Sequence, residues 1–375
     1  MDFSLTTEQD LLLETARRYV TDNYSFEQRR SMLAASGHDG RGVWRGMADL
    51  GLLALNVPEE HGGLAAGPLE TMLVATALGE GLVVEPFMSS AVLATRTITG
   101  LGSERQRADW LPRLASGEMI AVLAHDAFVA DGHASFATRA EKTVGGWRLS
   151  GQKAVVYHAP LADLLLVSAQ ADDQRGSEIG LFAIPRDSAG LTLDSYVTVD
   201  SQVAADISLK DVQVEASNRL GSDASAELEA VAAFGLAALC ADTIGALDRA
   251  LAATVEYIRT RVQFGGPIGR FQALQHRIAD MVGHIESARS MAQLASLRCT
   301  APDLRERATA LSAAKVVVGH AARFVGQQSV QLHGGMGMSD EVAISHYFRR
   351  LLANEIRFGS TEAHLSRYAE LMTEA

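Results

Sequence analysis

The sequence predicts an α+β chain in three zones, and three observations carry that prediction. Apolar residues recur at helical spacing up to about residue 117. The period changes to short apolar runs split by turn residues between about 118 and 218. Long stretches with almost no helix breaker return from 219 to 375. The expected domains are therefore a helical one over 1–117, a β one over 118–218 and a helical bundle over 219–375.

In the first zone, Thr6 or Thr7 can cap a helix whose first turn carries Glu8 and Asp10. Leu11, Leu12, Ala16 and Val20 follow at helical spacing, and Trp44, Met47, Leu50 and Leu53 repeat the pattern. The segment Val57-Pro58-Glu59-Glu60-His61-Gly62-Gly63 is a turn, another helix covers about Gly67 to Glu80, and Pro86 limits the next. In the middle zone, Ala137–Glu141, Gly145-Gly146 and Trp147–Gly151 read as a hairpin. Strand-like runs follow at Ala162–Val167, Ile179–Ile184, Leu191–Val197 and Ala205–Leu209. Five or more strands at such spacing suggest a small barrel or sandwich. In the last zone a helix runs from a Ser225 cap to about Arg261 and is ended by Phe264-Gly265-Gly266-Pro267. Further helices cover about Phe271–Arg298, a stretch from near Pro302 to about Leu332, and at least one segment after His333-Gly334-Gly335.

Composition narrows the function. Apolar residues make up 47% of the chain and charged residues 21%, enough for a large core and too apolar for disorder. A net charge of -12 argues against nucleic acid, because phosphate binding needs a basic surface. Two cysteines, Cys240 and Cys299, exclude a disulfide scaffold and fit a reducing cytoplasm. The N-terminus shows no leader pattern. The run Ala230–Ala241 is too short to span a bilayer and reads as a core helix, so no membrane association is expected.

Single motifs say little. Gly334-Gly335-Met336-Gly337 is no dinucleotide fingerprint, since it follows a helix rather than a strand, and alone it reads as a helix end. Ser168, Ser201 and Ser329 lack a hydrolase setting, and the histidines, His320 and His333 included, show no metal spacing, so no metal is expected. The ordered combination says more. It reads Tyr257-x-x-x-Arg261-x-Gln263-Phe264-Gly265-Gly266-Pro267-Ile268, then Phe271-Gln272-x-x-x-His276-x-x-x-Asp280-Met281, and later Gln331-Leu332-His333-Gly334-Gly335-Met336-Gly337.

With these motifs, and with Pro58–Gly63 in the expected place, the whole chain resembles the acyl-CoA dehydrogenases. The resemblance implies that family's fold: an N-terminal helical domain, a middle β-barrel or sandwich and a C-terminal four-helix bundle. It implies FAD as cofactor, an acyl-CoA thioester of fatty or steroid side-chain type as substrate, 2,3-desaturation as reaction and electron-transfer flavoprotein as acceptor. It assigns FAD contacts to Arg261, Gln263, Phe264, Gln272, Gln331, Gly334, Gly335 and Ser360. Arg261 matches the arginine that reaches the neighbouring protomer's cofactor, which implies an oligomer. A guanidinium suits pyrophosphate, amides can donate and accept, and glycines let a nucleotide approach the backbone.

The chain departs from the family where the chemistry is done. The family base is a glutamate in Tyr-Glu-Gly-Thr, whereas this chain reads Ile356-Arg357-Phe358-Gly359-Ser360-Thr361-Glu362, with Phe358 in the glutamate's place. The alternative base position falls near Phe234-Gly235, and no carboxylate lies between Glu229 and Asp242. The flavin-facing hydroxyl motifs are replaced by Ala124-His125-Asp126-Ala127-Phe128 and Val155-Val156-Tyr157; His125 and Tyr157 can still donate hydrogen bonds. This pattern resembles the small subunit of two-subunit enzymes of the pimeloyl-CoA dehydrogenase type, in which a larger subunit supplies the base. Two alternatives stay open: a self-sufficient homo-oligomer whose base is displaced to Asp126, Glu355 or, preferred for its place in the loop, Glu362; and a silent acyl-CoA-binding or assembly subunit.

Overall fold

A computed structural model describes residues 5–35, 41–125, 138–173 and 176–373. Among these, the first zone holds α1 (Thr7–Asn23), α2 (Phe26–Ala34), α3 (Arg41–Asp49), α4 (Pro68–Glu80), a π-helical stretch at Phe87–Ala94, α5 (Thr95–Leu101) and α6 (Glu104–Ala115). Thr6 caps α1 reciprocally: its hydroxyl accepts from the Gln9 amide at 3.2 Å, and the Gln9 side chain accepts from the Thr6 amide at 3.0 Å. Ser25 with Gln28 and Ser103 with Gln106 close α2 and α6 in the same way. Ala16, Val20, Trp44, Met47 and Leu53 are buried, but Leu11 is exposed on α1, and Leu50 is exposed because α3 ends at Asp49 and Leu50 falls in the turn that follows.

The middle zone forms β1 (Ala121–Ala124), β2 (Arg139–Thr143), β3 (Gly146–Tyr157), β4 (Leu164–Asp173), β5 (Gly176–Pro185), β6 (Leu191–Val197), β7 (Val203–Glu215) and β8 (Arg219–Leu220). The expected barrel or sandwich takes the form of one mixed eight-stranded sheet in the order β6-β7-β3-β2-β4-β5-β8, with β1 beside β4. The β2–β3 hairpin turns on Val144-Gly145, with Thr143 opposite Gly146. Strand β1 escaped the sequence reading: its four residues are all buried, so they show no alternation. It pairs in parallel with β4, as does β2.

The last zone holds α7 (Ser225–Thr260), a small hairpin of β9 (Val262–Gln263) and β10 (Gly266–Pro267), α8 (Gln272–Arg298), α9 (Leu304–His333), α10 (Ala343–Ile356) and α11 (Thr361–Thr373). Ser225 is the first residue of α7 rather than its cap. Its amide and hydroxyl both donate to the Asp223 carboxylate, at 3.1 and 2.6 Å. Helix α7 is long and apolar enough to cross a membrane by length and composition, yet 83% of its apolar window is buried in the protein, as in a core helix. Cys240 and Cys299 are buried and neither forms a disulfide.

Packing groups the chain differently from its order. One compact unit gathers Met1–Ser36, Pro68–Val83 and Leu236–Ala375; the other gathers Gly37–Gly67 and Val84–Gly235. In the first unit α1, α2 and α4 join the C-terminal helices. There α4 and α7 approach until glycine is required: a Cβ on Gly79 would lie 2.1 Å from the Asp242 carbonyl oxygen, and one on Gly245 would lie 2.0 Å from that of Thr76. The second unit holds the sheet with α3, the π-helical stretch, α5, α6 and the start of α7. Replacing Gly245 by alanine should force α4 and α7 apart and lower stability by about 2 kcal/mol or more, read as a reduced denaturation midpoint with unchanged secondary structure.

Candidate functional site

The motif residues sit on three short segments of the first unit. The first is the hairpin after α7. Phe264 and Gly265 both have positive φ, at 53° and 81°, which a two-residue hairpin turn of the primed type demands. Arg270 donates to the Phe264 and Gly265 carbonyls and closes the turn. The Ile268 amide donates to the Arg261 carbonyl at 2.9 Å. This bracing presents Arg261, Gln263 and Phe264 outward, and Phe264 is 82% exposed. Its ring meets Phe271 edge-on with centroids 6.1 Å apart.

The second segment is the end of α9. Gln331 is exposed, His333 is buried, and Gly334 and Gly335 are exposed. His333 stacks on Tyr257 of α7 with ring centroids 4.3 Å apart and planes at 24°. Arg261 lies one helical turn beyond Tyr257 and Gly334 follows His333 directly, so this stack brings the two distant motifs to one end of the unit. His333 Nδ1 donates to the Ser329 carbonyl at 2.8 Å, and burial pushes its pKa below the ordinary imidazole value, so the ring stays neutral.

These two segments fit FAD on two grounds. Among the described residues, no hydrogen bond or ion pair engages the side chains of Arg261, Gln263, Gln272 or Gln331, although all four are exposed. A Cβ on Gly335 would meet no atom within 4 Å, and Gly335 does not have positive φ, so the chain's own packing does not demand a glycine there. The open backbone there leaves room for a ligand to lie against it.

The third segment is the turn from α10 to α11. Phe358 has φ 59° and Gly359 φ 96°, left-handed values that cost a phenylalanine about 1 kcal/mol. His364 Nε2 donates to the Phe358 carbonyl at 2.8 Å, while its Nδ1 accepts from the Ser312 hydroxyl at 3.2 Å. Ser360 accepts from the Ala363 amide at 3.2 Å and so caps α11. Glu355 accepts from the Thr361 amide at 3.1 Å and pairs with Arg323 at 3.1 Å. Lys315, buried in the bundle, donates to the Asn354 carbonyl in the last turn of α10. Burial pushes the Lys315 amine down to about 8.

The displaced-base candidates fare unequally. Burial alone would raise the Glu355 carboxyl, but its hydrogen bonds to Thr361 and the charges of Arg323 and Lys315 outweigh burial and hold it below the ordinary value. That is the wrong direction for a general base. Glu362 is exposed on α11 and paired with Arg323 at 3.4 Å. Asp126 lies outside the described residues. At the alternative base position, Phe234 is buried under the Arg96 guanidinium, 3.9 Å from its ring centroid. Asp242, the next carboxylate along α7, is bound by Asn354 at 2.7 Å and Arg350 at 3.5 Å.

In the second unit, His125 is buried and its Nδ1 is 2.9 Å from the Ser168 hydroxyl, which also accepts from Lys153 at 3.2 Å. Burial, reinforced by Lys153, pushes His125 down to about 3, so it is neutral. Tyr157 is half-buried at the end of β3, beyond a register shift where Val155 has φ 50°. The following His158 is wholly committed: Nε2 donates to the Val84 carbonyl at 3.0 Å and Nδ1 accepts from Ser89 at 2.8 Å. Sequence reasoning missed the Tyr257–His333 stack, the Arg270 brace and His364; only the Tyr257-x-x-x-Arg261 spacing hinted at the first.

Comparison with known proteins agrees with the fold. The family model for the acyl-CoA dehydrogenase N-terminal domain matches residues 6–118, and that for the C-terminal domain matches 231–373. Acyl-CoA dehydrogenase FadE27 of Mycobacterium tuberculosis is 29% identical, over 100% of this chain and 99% of its own length. A chain of the ChsE4-ChsE5 complex from Mycobacterium tuberculosis superposes with TM-score 0.89 at 28% identity, covering 100% of each chain. A chain of the Tcur3481-Tcur3483 steroid ACAD G363A variant does so with TM-score 0.87 at 29% identity, covering 98% of each.

Two predictions follow from the site geometry. Arg261→Met should weaken FAD retention by about tenfold or more while leaving the circular dichroism spectrum unchanged; flavin absorbance after gel filtration measures it. His364 is held neutral, its pKa pushed down from 6.5 to about 4 by burial, so the folded state binds fewer protons than the unfolded state. Its contribution is therefore present above about pH 6.5 and is lost as pH falls through about 4, on the order of 3 kcal/mol in all. A His364→Gln variant should show a flatter loss of stability across that window in urea titrations.

Proposed function

The chain belongs to the acyl-CoA dehydrogenase family of FAD-dependent oxidoreductases, and within it we propose that it is the subunit of a two-subunit enzyme that helps to hold FAD and leaves the base to a larger partner. The observation that carries this reading is Phe358, fixed in the turn where the family's glutamate is expected. A phenyl ring cannot take a proton, and the nearby carboxylate Glu355 is bound and tuned the wrong way. The proposed substrate is an acyl-CoA thioester, and the proposed electron acceptor is an electron-transfer flavoprotein. The similarity to one chain of a named two-protein complex supports a partner of unlike sequence. The similarity to a steroid ACAD supports a bulky acyl group.

FAD, when bound, accepts the hydride that leaves the β-carbon as a base removes the α-proton. The chain's own residues take the remaining tasks. Arg261 offers a planar fork of donors to pyrophosphate oxygens. Gln263, Gln272 and Gln331 offer amides to the rest of the nucleotide. Gly334 and Gly335 allow it to lie against the backbone, and Phe264 supplies an apolar wall. Ser360, placed by its capping role on α11, presents a hydroxyl beside the Phe358 turn. Exposed apolar side chains at both motif ends, Val262 and Phe264 on one and Met336 and Met338 on the other, suit a second subunit that covers them. In this reading residues 1–117, 118–218 and 219–375 act as the helical, β and bundle domains, with the last strand running on to Leu220.

The test is co-expression with a base-bearing acyl-CoA dehydrogenase chain. The purified chain alone should bind FAD weakly and turn over acyl-CoA at least about a hundredfold more slowly than the pair, the usual cost of a missing base. Full turnover by the isolated chain with an acyl-CoA and an electron acceptor would reject the proposal.

A further inference from the structure

His346, in the first turn of α10, joins two parts of the first unit through both ring nitrogens. Arg29 of α2 donates from Nη1 to Nδ1 at 3.0 Å. A guanidinium has only donors, so Nδ1 must be unprotonated. The other nitrogen, Nε2, lies 3.1 Å from the Asp340 carbonyl oxygen, which can only accept, so Nε2 carries the proton. One state of the ring satisfies both contacts: the neutral Nε2–H tautomer. Arg29 is buried, and its Nε donates to the Leu82 carbonyl at 3.0 Å, so it cannot swing away freely. The Phe26 ring meets the imidazole edge-on with centroids 5.2 Å apart.

Asp340 belongs to the segment that leaves the diglycine turn. The turn Gly334–Met338 is followed by Ser339, whose amide donates back to the Met336 carbonyl at 3.1 Å. Asp340 is then held twice by α10: its carbonyl by His346, and its carboxylate by Arg349 at 2.6 Å. The path from α2 to the diglycine turn thus runs Arg29, His346, Asp340.

We propose that His346 is a positioning residue that ties the segment after the diglycine turn to α2 only while its ring is neutral, so that acidification loosens Gly334–Asp340 and weakens the hold on FAD. The inference rests on the reading of Gly334 and Gly335 as nucleotide contacts. A proton added to Nδ1 removes the acceptor that Arg29 uses and sets two cations against each other. The charged groups acting on the ring are Arg29 from α2, Arg349 from α10 and Asp340 from the preceding segment. Burial is the largest influence, Arg29 and Arg349 add to it, and Asp340 opposes; the net effect lowers the pKa from 6.5. The tie is complete above that value and is lost as pH falls through the lowered folded-state value.

The experiment uses the FAD-loaded protein, with its second subunit if one is needed for loading. Amide hydrogen exchange over residues 339–346, corrected for intrinsic rates, and flavin released through a filter are both followed from about pH 7.5 to about pH 5.5. In the wild type, exchange should accelerate and FAD affinity should fall, each about tenfold, as pH drops. His346→Gln supplies a carbonyl oxygen for Arg29 and an amide for Asp340 but cannot titrate, so it should respond to neither. Arg29→Met removes the tie itself together with the opposing cation, so exchange over 339–346 should already be fast at about pH 7.5 and change little as pH falls, which a merely structural role of His346 would not produce. Equal responses in the wild type and the glutamine variant would overturn the proposal, as would exchange in the methionine variant that stays slow at about pH 7.5. Exchange that accelerates in the wild type alone, with flavin release unchanged, keeps the tie and overturns the assignment of the diglycine turn to FAD.

Discussion

The turn between α10 and α11 is fixed from three sides, and the chemistry open to this chain depends on that. His364 holds the Phe358 carbonyl, Glu355 holds the Thr361 amide, and Lys315 holds the Asn354 carbonyl in the last turn of α10. A carboxylate used as a structural acceptor is unavailable as a base, because each hydrogen bond it accepts stabilises its charged form and lowers its affinity for a proton. The bundle therefore spends Glu355 on geometry, and the residue presented at the turn is aromatic.

The same economy of charge runs through the first unit. Asp242 is shared by Asn354 and Arg350, and Arg350 also donates to the Val83 carbonyl at 2.8 Å. Removing one partner of such a buried group would leave a charge uncompensated, which costs more than the pair contributes. Against this background the unengaged Arg261, Gln263, Gln272 and Gln331 stand out. These exposed polar side chains, and Gly335, where neither φ nor packing calls for a glycine, are what the proposal of a nucleotide contact rests on.

Much of the fold was legible from local rules. Apolar spacing located α1, α4 and the long C-terminal helices, whereas α2 and α6, each opened by a Ser three residues before a Gln, were not read from the sequence. The β2–β3 hairpin, read with its turn at Gly145-Gly146 and found one residue earlier at Val144-Gly145, and strand β6 were readable because a turn signal and a strand-like run sit next to each other in the chain. What failed were elements whose evidence is not local. Strand β1 is buried on all sides and shows no period; Leu11 and Leu50 fit the pattern but face outward.

The site divides along the same line. By itself the sequence determined that residue 358 cannot take a proton, because a phenylalanine cannot ionise whatever surrounds it, and it determined the types and order of the motif residues that are proposed to meet FAD. Only the tertiary structure decided that Tyr257 and His333 stack and so carry Arg261 and Gly334 to one end of the unit. It also decided that Glu355 is bound and that His346 must be neutral. The physical reason is that a side chain's identity sets what it can donate or accept, whereas its protonation and its availability depend on partners distant in the chain.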